Sequence, residues 1–181
     1  MMAWFRPQKV AKWAQHHIQL TRVKERTRSC PYDDERKTTM SLLKWQPVSS
    51  RILTAMFASQ RAKLSVEVCY APTNEASDDV KKEFYRTLQP VAIDIPRHYV
   101  ACFVGDFNAK ISVHECCPRS MGSHGLGNRN ENSELLIEFA LSNYLVISVS
   151  LFQHHGIHKY SWASLDGTTR NQIDYFLVSS N

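Results

Sequence analysis

One stretch decides the fold: HYVACFVGDFNAK, residues His98 to Lys110. Its apolar run from Tyr99 to Val104 predicts a strand that is buried on both faces. Gly105 frees the backbone at the carboxyl end of that strand. Asp106 and Asn108 follow at a spacing of two, so in an extended segment both side chains project to the same side. Because ligands of α/β sheets usually bind beyond the carboxyl ends of the strands, we predict the site of chemistry here.

The Gly-Asp-x-Asn sequence alone leaves two interpretations open, because it also favours an Asx-type turn with no chemical role. Two other predicted strands carry polar groups at comparable places. Val66 to Ala71 leads into Tyr70-Ala71-Pro72-Thr73-Asn74, and Asn171 to Val178 contains Asp174. The order along the chain is therefore a tyrosine, then an aspartate with an asparagine, then an aspartate.

That order and four short motifs resemble the endonuclease/exonuclease/phosphatase (DNase I-like) family. The motifs are WQPVSSR from Trp45, YAPTN from Tyr70, GDFNAK from Gly105 and NQIDY from Asn171. Within the family they look like the endonuclease domains of RTE-type non-LTR retrotransposons and like the craniofacial-development-like proteins. The resemblance covers residues 41–180 and implies a partial α/β sandwich of two mixed sheets with outer helices. This chain would supply most of one sheet and part of the other, which would leave one sheet edge exposed.

The resemblance implies metal-assisted hydrolysis of a phosphodiester in DNA, with Mg²⁺ or Mn²⁺ offsetting charge on the phosphate. Asp106 would orient or deprotonate the attacking water, and Asn108 would help to hold the water and the phosphate. The same two residues would form a secondary metal site. Tyr70 would donate a hydrogen bond to the phosphate, and Asp174 would orient a catalytic histidine.

Two further residues would contact the substrate by resemblance, Asn74 after the YAPT segment and Trp162 as an aromatic floor. Burial in the core is the alternative for Trp162. The family also has an amino-terminal Asn, a metal-binding Glu and a final Ser-Asp-His motif, and these 181 residues contain no match to them. We therefore expect an incomplete endonuclease site that does not cleave DNA in this chain. Two alternatives stay open: a non-enzymatic protein that keeps the fold to bind a partner, and a phosphatase of phosphoinositides or other small phosphate esters.

The composition is that of a globular chain, with 43% hydrophobic and 22% charged residues, and it argues against disordered and membrane classes. The net charge of +5 is unevenly distributed. Residues 1–40 contain nine Lys and Arg against four Asp and Glu, whereas residues 41–181 contain thirteen of each. We therefore divide the chain into a basic head, 1–40, and a partial endonuclease domain, 41–181. A transit peptide, a nucleic-acid-binding arm and a disordered segment all fit the head.

The five cysteines are an odd number without the spacing of a disulfide framework, which predicts a reduced, intracellular chain. The family resemblance adds an expected nuclear location. Cys69 and Cys102 lie in apolar runs and are predicted core residues. Cys116-Cys117 lacks the ligand gap of a zinc site, and Gly156 interrupts the histidine cluster of residues 154–158, so we expect no metal at either place.

The other predicted elements follow from apolar periodicity and breaker residues. The first half of the chain contains a strand Val48–Phe57, a hairpin turn Ser59–Ala62, a strand Lys63–Tyr70 and a helix from Asp78 to Leu88, which has the buried stripe Val80, Phe84 and Leu88 and Pro90 and Pro96 at its end. A loop 110–132 follows the central strand, and its Arg119, His124 and Arg129 are either phosphate contacts or surface charge. The rest consists of a helix Glu134–Leu141 capped by Asn132-Ser133, a strand Tyr144–Val149, and a hairpin from Trp162 through Asp166-Gly167 to the strand at Gln172.

Overall fold

The structure is a computed structural model that describes residues 42–58, 62–111, 120–122, 129–151, 160–164, 168 and 170–180. Several predictions concern residues outside this part of the chain, namely the basic head, the turn residues 59–61, Cys116-Cys117, Arg119, His124, the histidine cluster and Asp166-Gly167. Among the described residues, no helix is long and apolar enough to cross a membrane.

The described chain forms a mixed β-sheet with two helices packed on one face. Its elements are β1 (Leu42–Pro47), β2 (Ile52–Ala58), β3 (Lys63–Tyr70), α1 (Asp78–Asp94), β4 (Tyr99–Asp106), α2 (Glu131–Ser142), β5 (Leu145–Ile147), a 3₁₀ turn (Ser148–Ser150), β6 (Trp162–Ala163), β7 (Arg170–Asn171) and β8 (Asp174–Ser179). Six strands form one sheet in the order β1-β2-β3-β4-β8-β5, and β6 and β7 form a separate pair. In the described residues, β1 and β5 are therefore the outer strands of the sheet.

The centre of the sheet is the parallel pair β3 and β4, which α1 connects. Strand β8 then lies antiparallel on the other side of β4. Phe103 of β4 is fully buried and meets Phe139 of α2 edge to face, with 5.4 Å between the ring centroids. Because β3 and β4 are parallel and β8 is antiparallel to β4, the carboxyl ends of β3 and β4 lie beside the start of β8 at one end of the sheet.

Strand β4 is buried on both faces only in part. Cys102 is buried, as predicted, but Val100 on the same face is 38% exposed and Phe176 of β8 is 41% exposed. This face lies opposite the helices, and the strand alternation gives it apolar residues from β2, β3, β4 and β8. The continuous apolar run of β4 reflects this second apolar face.

Helix α1 is longer than its sequence predicts and turns a different stripe inward. It continues through Pro90 to Asp94, because Pro90 is exposed and the carbonyl that loses its partner can meet water. The predicted stripe is wrong at Val80, which is 46% exposed. Lys81 is buried in its place, and its amine pairs with Glu131 of α2 and with Asp78. The ion pair between α1 and α2 therefore determines which face of the first turn of α1 points inward.

Helix α2 begins three residues earlier than predicted. Its cap is Asn130, whose side chain accepts a hydrogen bond from the Ser133 backbone N–H, while the Ser133 hydroxyl accepts one from the Asn130 N–H. The predicted cap Asn132-Ser133 is thus wrong: Asn132 is 1% exposed and donates to backbone carbonyls outside the helix. A reciprocal capping pair stabilises the earlier start.

Two predicted strands have different boundaries in the structure. The single strand Val48–Phe57 is instead the second half of a hairpin, in which Val48 and Ser49 donate backbone hydrogen bonds to Ile52 at a turn between β1 and β2. The predicted strand Tyr144–Val149 is confined to β5, because the Ser150 hydroxyl donates to the Ile147 carbonyl and closes a 3₁₀ turn.

Glu67 is a carboxyl group buried under the helices. It lies on β3, has no exposed surface, and accepts a hydrogen bond of 2.6 Å from the Ser65 hydroxyl at Oε1. Among the described residues neither Glu67 Oε2 nor Thr54 Oγ1, on the neighbouring strand, has a hydrogen-bond partner. Burial raises the pKa of Glu67, and the nearby Ser65 and Thr54 side chains partly offset this rise. The ionised form of Glu67 therefore destabilises the fold.

We predict that Glu67→Gln stabilises the protein at alkaline pH. Below the unfolded-state pKa, Glu67 is neutral in both states; as the pH rises through its raised native-state pKa, ionisation costs native stability. A glutamine keeps the acceptor for Ser65 and offers an amide to Thr54. The free energy of unfolding should exceed that of the parent by about 1 kcal/mol or more at about pH 8, and the gap should close toward about pH 4.5.

Urea unfolding across this pH range measures the difference. Glu138→Gln, which changes an exposed carboxyl group of α2, is the matched control and should follow the parent. A Glu67→Gln variant that is less stable than the parent at every pH would contradict the prediction.

Candidate functional site

A row of polar side chains crosses the end of the sheet. Tyr70 of β3 lies opposite Asp106 of β4 in the parallel register, and Asp106 lies opposite Asp174 of β8 in the antiparallel register. Residues directly opposite in neighbouring strands have Cβ atoms about 4.5–5.5 Å apart and share a face. The structure therefore brings together three of the four residues predicted for catalysis, on the face opposite the helices.

Gly105 makes this row possible. Its φ of +137° lies in a region that L side chains rarely adopt, and a Cβ there would lie 2.1 Å from the Cys69 carbonyl oxygen. Only glycine lets β4 approach β3 this closely at the position just before Asp106. The predicted release of the backbone at Gly105 is confirmed.

Asn108 is held by a turn rather than by an extended strand. Its φ is +49°, its backbone N–H donates to Asp106 Oδ1 at 2.8 Å, and its side-chain amide donates to the Ala71 carbonyl at 3.0 Å. The extended spacing expected of Asp106 and Asn108 is therefore wrong, because the chain leaves the sheet after Asp106. The Asx turn is present, and it fixes the Asp106 carboxylate while it ties Asn108 to the segment that follows Tyr70.

Two amides at the start of α2 hold the loops that carry the site. The Asn130 side chain donates to the Asn108 carbonyl at 2.9 Å and accepts from the Lys110 N–H at 3.0 Å. The buried Asn132 amide donates to the Asn108 carbonyl at 3.2 Å and to the Pro72 carbonyl at 2.9 Å. The segments after β3 and β4 are thus fixed to each other and to α2, which sequence reasoning missed because it assigned Asn132 to the cap.

The two carboxyl groups of the row are electrostatically coupled. Burial raises the pKa of Asp106 to about 6, helped by the charge of Asp174 and opposed by the hydrogen bond from the Asn108 backbone. Burial also raises the pKa of Asp174, and the Ser161 side chain opposes this rise. An aspartate with a pKa near neutrality can exchange a proton with a reacting group, so Asp106 is suited to general acid–base chemistry.

Ser161 and Arg51 are neighbours of the row that motif reasoning did not assign to the site. The Ser161 hydroxyl accepts hydrogen bonds from the backbone N–H groups of Ile173 and Asp174, at 3.0 and 3.1 Å, and so holds the start of β8. The Arg51 guanidinium carbon lies 5.4 Å from the centre of the Tyr70 ring. The sequence motifs point to both residues, because Ser161 immediately precedes Trp162 and Arg51 is the last residue of WQPVSSR.

The two residues predicted to bind substrate lie outside the row. Asn74 is exposed in the turn between β3 and α1. Trp162 pairs with Asn171 in the β6–β7 ribbon and is 44% exposed, so the alternative of core burial for Trp162 is wrong. Trp162 directly follows Ser161, which bonds the β8 backbone, and this contact links the ribbon to the site.

The donor set of the row fits a hard cation in part. Asp106, Asp174 and the side-chain oxygen of Asn108 are the oxygen ligands that Mg²⁺ and Mn²⁺ accept, and like charges with raised pKa values favour a cation between them. Within the described residues, no group of three or more His, Cys, Asp and Glu side chains could hold a metal ion. The described part of the row therefore offers oxygen donors of the right kind but not a complete metal site.

Solved structures share this arrangement of strands and helices. An AP endonuclease from Leishmania major has a TM-score of 0.57, with 13% identity over 81% of this chain and 55% of that one. The endonuclease domain of TRAS1, a telomere-specific non-LTR retrotransposon, has a TM-score of 0.51, with 11% identity over 77% of this chain and 54% of that domain. The family predicted from the sequence is confirmed in its fold: this chain has an endonuclease/exonuclease/phosphatase (DNase I-like) α/β fold.

Among curated proteins, the chain is similar to craniofacial development protein 2. The Bos taurus protein is 38% identical over 129 residues and that of Tragulus javanicus is 36% identical over 129 residues. The match covers 71% of this chain and 22% of each relative, so the chain spans about a fifth of their length. No family model matches the chain.

We predict that Gly105→Ala strongly destabilises the protein. The new methyl group would meet the Cys69 carbonyl oxygen at 2.1 Å, and alanine would strain the φ of +137°. Backbone strain of this kind costs about 1–3 kcal/mol and the clash adds to it, so the loss should be about 3 kcal/mol or more. Urea unfolding measures it.

Val100→Ala is the matched control, because it changes a partly exposed side chain of the same strand and should cost much less. Equal stabilities of the two variants would show that β3 and β4 do not approach closely at Gly105.

Proposed function

We propose that this chain carries the phosphate-binding and water-activating part of a divalent-metal-dependent DNA endonuclease site of retrotransposon origin, and that the chain alone does not turn over. The observation that carries the proposal is the register of Tyr70, Asp106 and Asp174 on one face, with Asn108 bonded to Asp106. The fold and the likeness to endonuclease structures support the reaction class.

In this proposal Asp106 acts on the attacking water. With a pKa of about 6, its carboxylate is mostly ionised at neutral pH yet basic enough to draw a proton from a water molecule. The Asn108 N–H at Oδ1 fixes the orientation of the carboxylate. Asp106 can therefore direct the water toward a phosphorus atom that lies over the row.

Tyr70 and Asn108 bind the phosphate in this proposal. The Tyr70 hydroxyl donates to a non-bridging oxygen, as a neutral donor beside Asp106 that leaves the row's charge unchanged. The Asn108 side chain spends one donor on the Ala71 carbonyl and keeps its oxygen and second N–H for the water and the phosphate. Bound Mg²⁺ or Mn²⁺ would neutralise charge on the phosphate, held through Asp106 and Asn108 oxygens.

Asp174 limits what the chain can do alone. In the proposed lineage this aspartate orients an imidazole, whereas its neighbours among the described residues include the Ser161 hydroxyl and the Asp106 carboxyl group. Loss of a general acid or base costs about 10² to 10⁴ in rate. We therefore propose a site that holds a phosphodiester and orients water without efficient cleavage.

We predict that the 181-residue chain does not nick supercoiled plasmid above the level of Asp106→Ala, with Mg²⁺ or with Mn²⁺. An extended chain that adds the family's amino-terminal metal-binding Glu and its Ser-Asp-His strand should nick, because Asp174 then has its histidine. Asp106→Ala should abolish that gain, since it removes the group that handles the water. Gel separation of supercoiled and open circular plasmid measures nicking.

Two results would overturn the proposal. Robust cleavage by the unextended chain that disappears in Asp106→Ala would show that the existing row is complete. Cleavage by the extended chain that survives Asp106→Ala would show that Asp106 is not the water-activating group.

A further inference from the structure

We propose that Arg51 is the cationic end of the site, where it contacts the phosphodiester and holds the Tyr70 ring in position. The inference rests on the proposed function, because it concerns the same phosphate. It adds a residue on β2's side of the sheet to the row formed by β3, β4 and β8, so that four neighbouring strands contribute to one site.

The backbone places Arg51 directly beside Tyr70. Ile52 pairs with Cys69 in the antiparallel β2–β3 register, so the residue before Ile52 stands opposite the residue after Cys69. The Tyr70 N–H donates to the Arg51 carbonyl at 2.9 Å, which continues the ladder to this position. Alternation along the strands therefore puts Arg51, Tyr70, Asp106 and Asp174 on one face in consecutive register.

The Arg51 side chain is half-buried and folds over Tyr70. Its Nη1 donates to the Tyr70 carbonyl at 3.3 Å, and its guanidinium carbon lies 5.4 Å from the centre of the tyrosine ring. This is the geometry of a cation–π contact, which is worth about 0.5–1 kcal/mol at exposed sites and more when water is excluded. The contact restricts the ring whose hydroxyl we assign to the phosphate.

The charge of Arg51 and most of its N–H donors are available to a ligand. It makes no salt bridge with any carboxylate of the described residues, and its Nη1 bond to Tyr70 uses one of five N–H donors. The neighbouring acids Asp106 and Asp174 give the row an excess of negative charge that would repel a phosphodiester. The Arg51 guanidinium group, on the far side of Tyr70 and three strands away from Asp174, offsets this repulsion at the Tyr70 end of the row.

Arginine suits this position better than lysine. Its planar fork can stack on an aromatic ring and still present two parallel N–H groups to a phosphate, whereas an ammonium group forms point contacts and stacks less well. A phosphate bound between the Arg51 fork and the Tyr70 hydroxyl would lie beside Asp106, where the proposed water is activated. Arg51 thus acts both on the phosphate and, through Tyr70, on its placement.

Binding of a fluorescent 20-base-pair DNA duplex, measured by anisotropy in EDTA at several salt concentrations, tests the inference. Arg51→Ala should weaken binding about ten- to hundred-fold and lower the salt slope by about 0.9, as expected when one phosphate contact is lost. Arg51→Lys should keep the slope but bind several-fold more weakly than the parent, because the fork and the stacking are lost. Arg86→Ala removes an exposed arginine of α1 and should match the parent. The basic head is common to all variants, so its contribution cancels.

A fourth variant separates the inference from the proposed function. Asp106→Asn removes a negative charge from the row and should strengthen binding in EDTA if a phosphate lies there. If Asp106→Asn strengthens binding but both Arg51 variants bind like Arg86→Ala, the role of Arg51 is overturned and the phosphate site stands. If the parent does not bind, or no variant of the row changes binding, the proposed function is overturned together with this inference.

Thermal unfolding shows whether each variant is folded. If Arg51→Ala unfolds, Arg51→Lys decides, because it keeps the charge and most of the stem: weaker binding with an unchanged salt slope supports the role of the fork, and parental affinity overturns it.

Discussion

The close approach of β4 to β3 at Gly105 is the constraint on which the site depends. With the Cys69 carbonyl oxygen 2.1 Å from where a Cβ would lie, only a glycine allows the two parallel strands to stay paired to their last residues. That pairing puts Tyr70 opposite Asp106, and the antiparallel pairing of β8 adds Asp174. The backbone register, more than any side-chain contact, therefore assembles the polar row.

The segments beyond the strands are then fixed by amides. Asn108 turns into a left-handed conformation that asparagine tolerates, and its carbonyl accepts hydrogen bonds from both Asn130 and Asn132. The start of helix α2 thus fixes the loop that follows β4, and further along the helix Phe139 packs against Phe103 in the core. Burial raises the pKa values of Asp106 and Asp174, so this arrangement holds two acids in an environment that disfavours their ionised forms.

The sequence predicted the parts of this molecule that depend on local pattern. The apolar run before Gly105 and the YAPTN and NQIDY motifs identified the three strands of the row, because each strand ends or begins at a polar residue. The same reasoning failed where contacts between distant elements determine which residues are buried. Val80 is exposed because Lys81 pairs with Glu131 of α2, and Asn132 is buried because it bonds Pro72 and Asn108. The sequence did not predict that Arg51 lies beside Tyr70, because this position depends on the register of β2 with β3, which no spacing along the chain reveals.

Asp106 and Asp174 share one partly buried site, and the titration of their carboxyl groups tests this arrangement most directly. Carbon-13 NMR of the side-chain carboxyl signals, assigned through Asp106→Asn and Asp174→Asn, follows each group. We expect Asp106 to titrate with a pKa of about 6, and we expect Asp174→Asn to lower this value, because the variant removes the neighbouring charge. An Asp106 carboxyl group that titrates near its ordinary pKa of 3.8, unchanged by Asp174→Asn, would contradict the account.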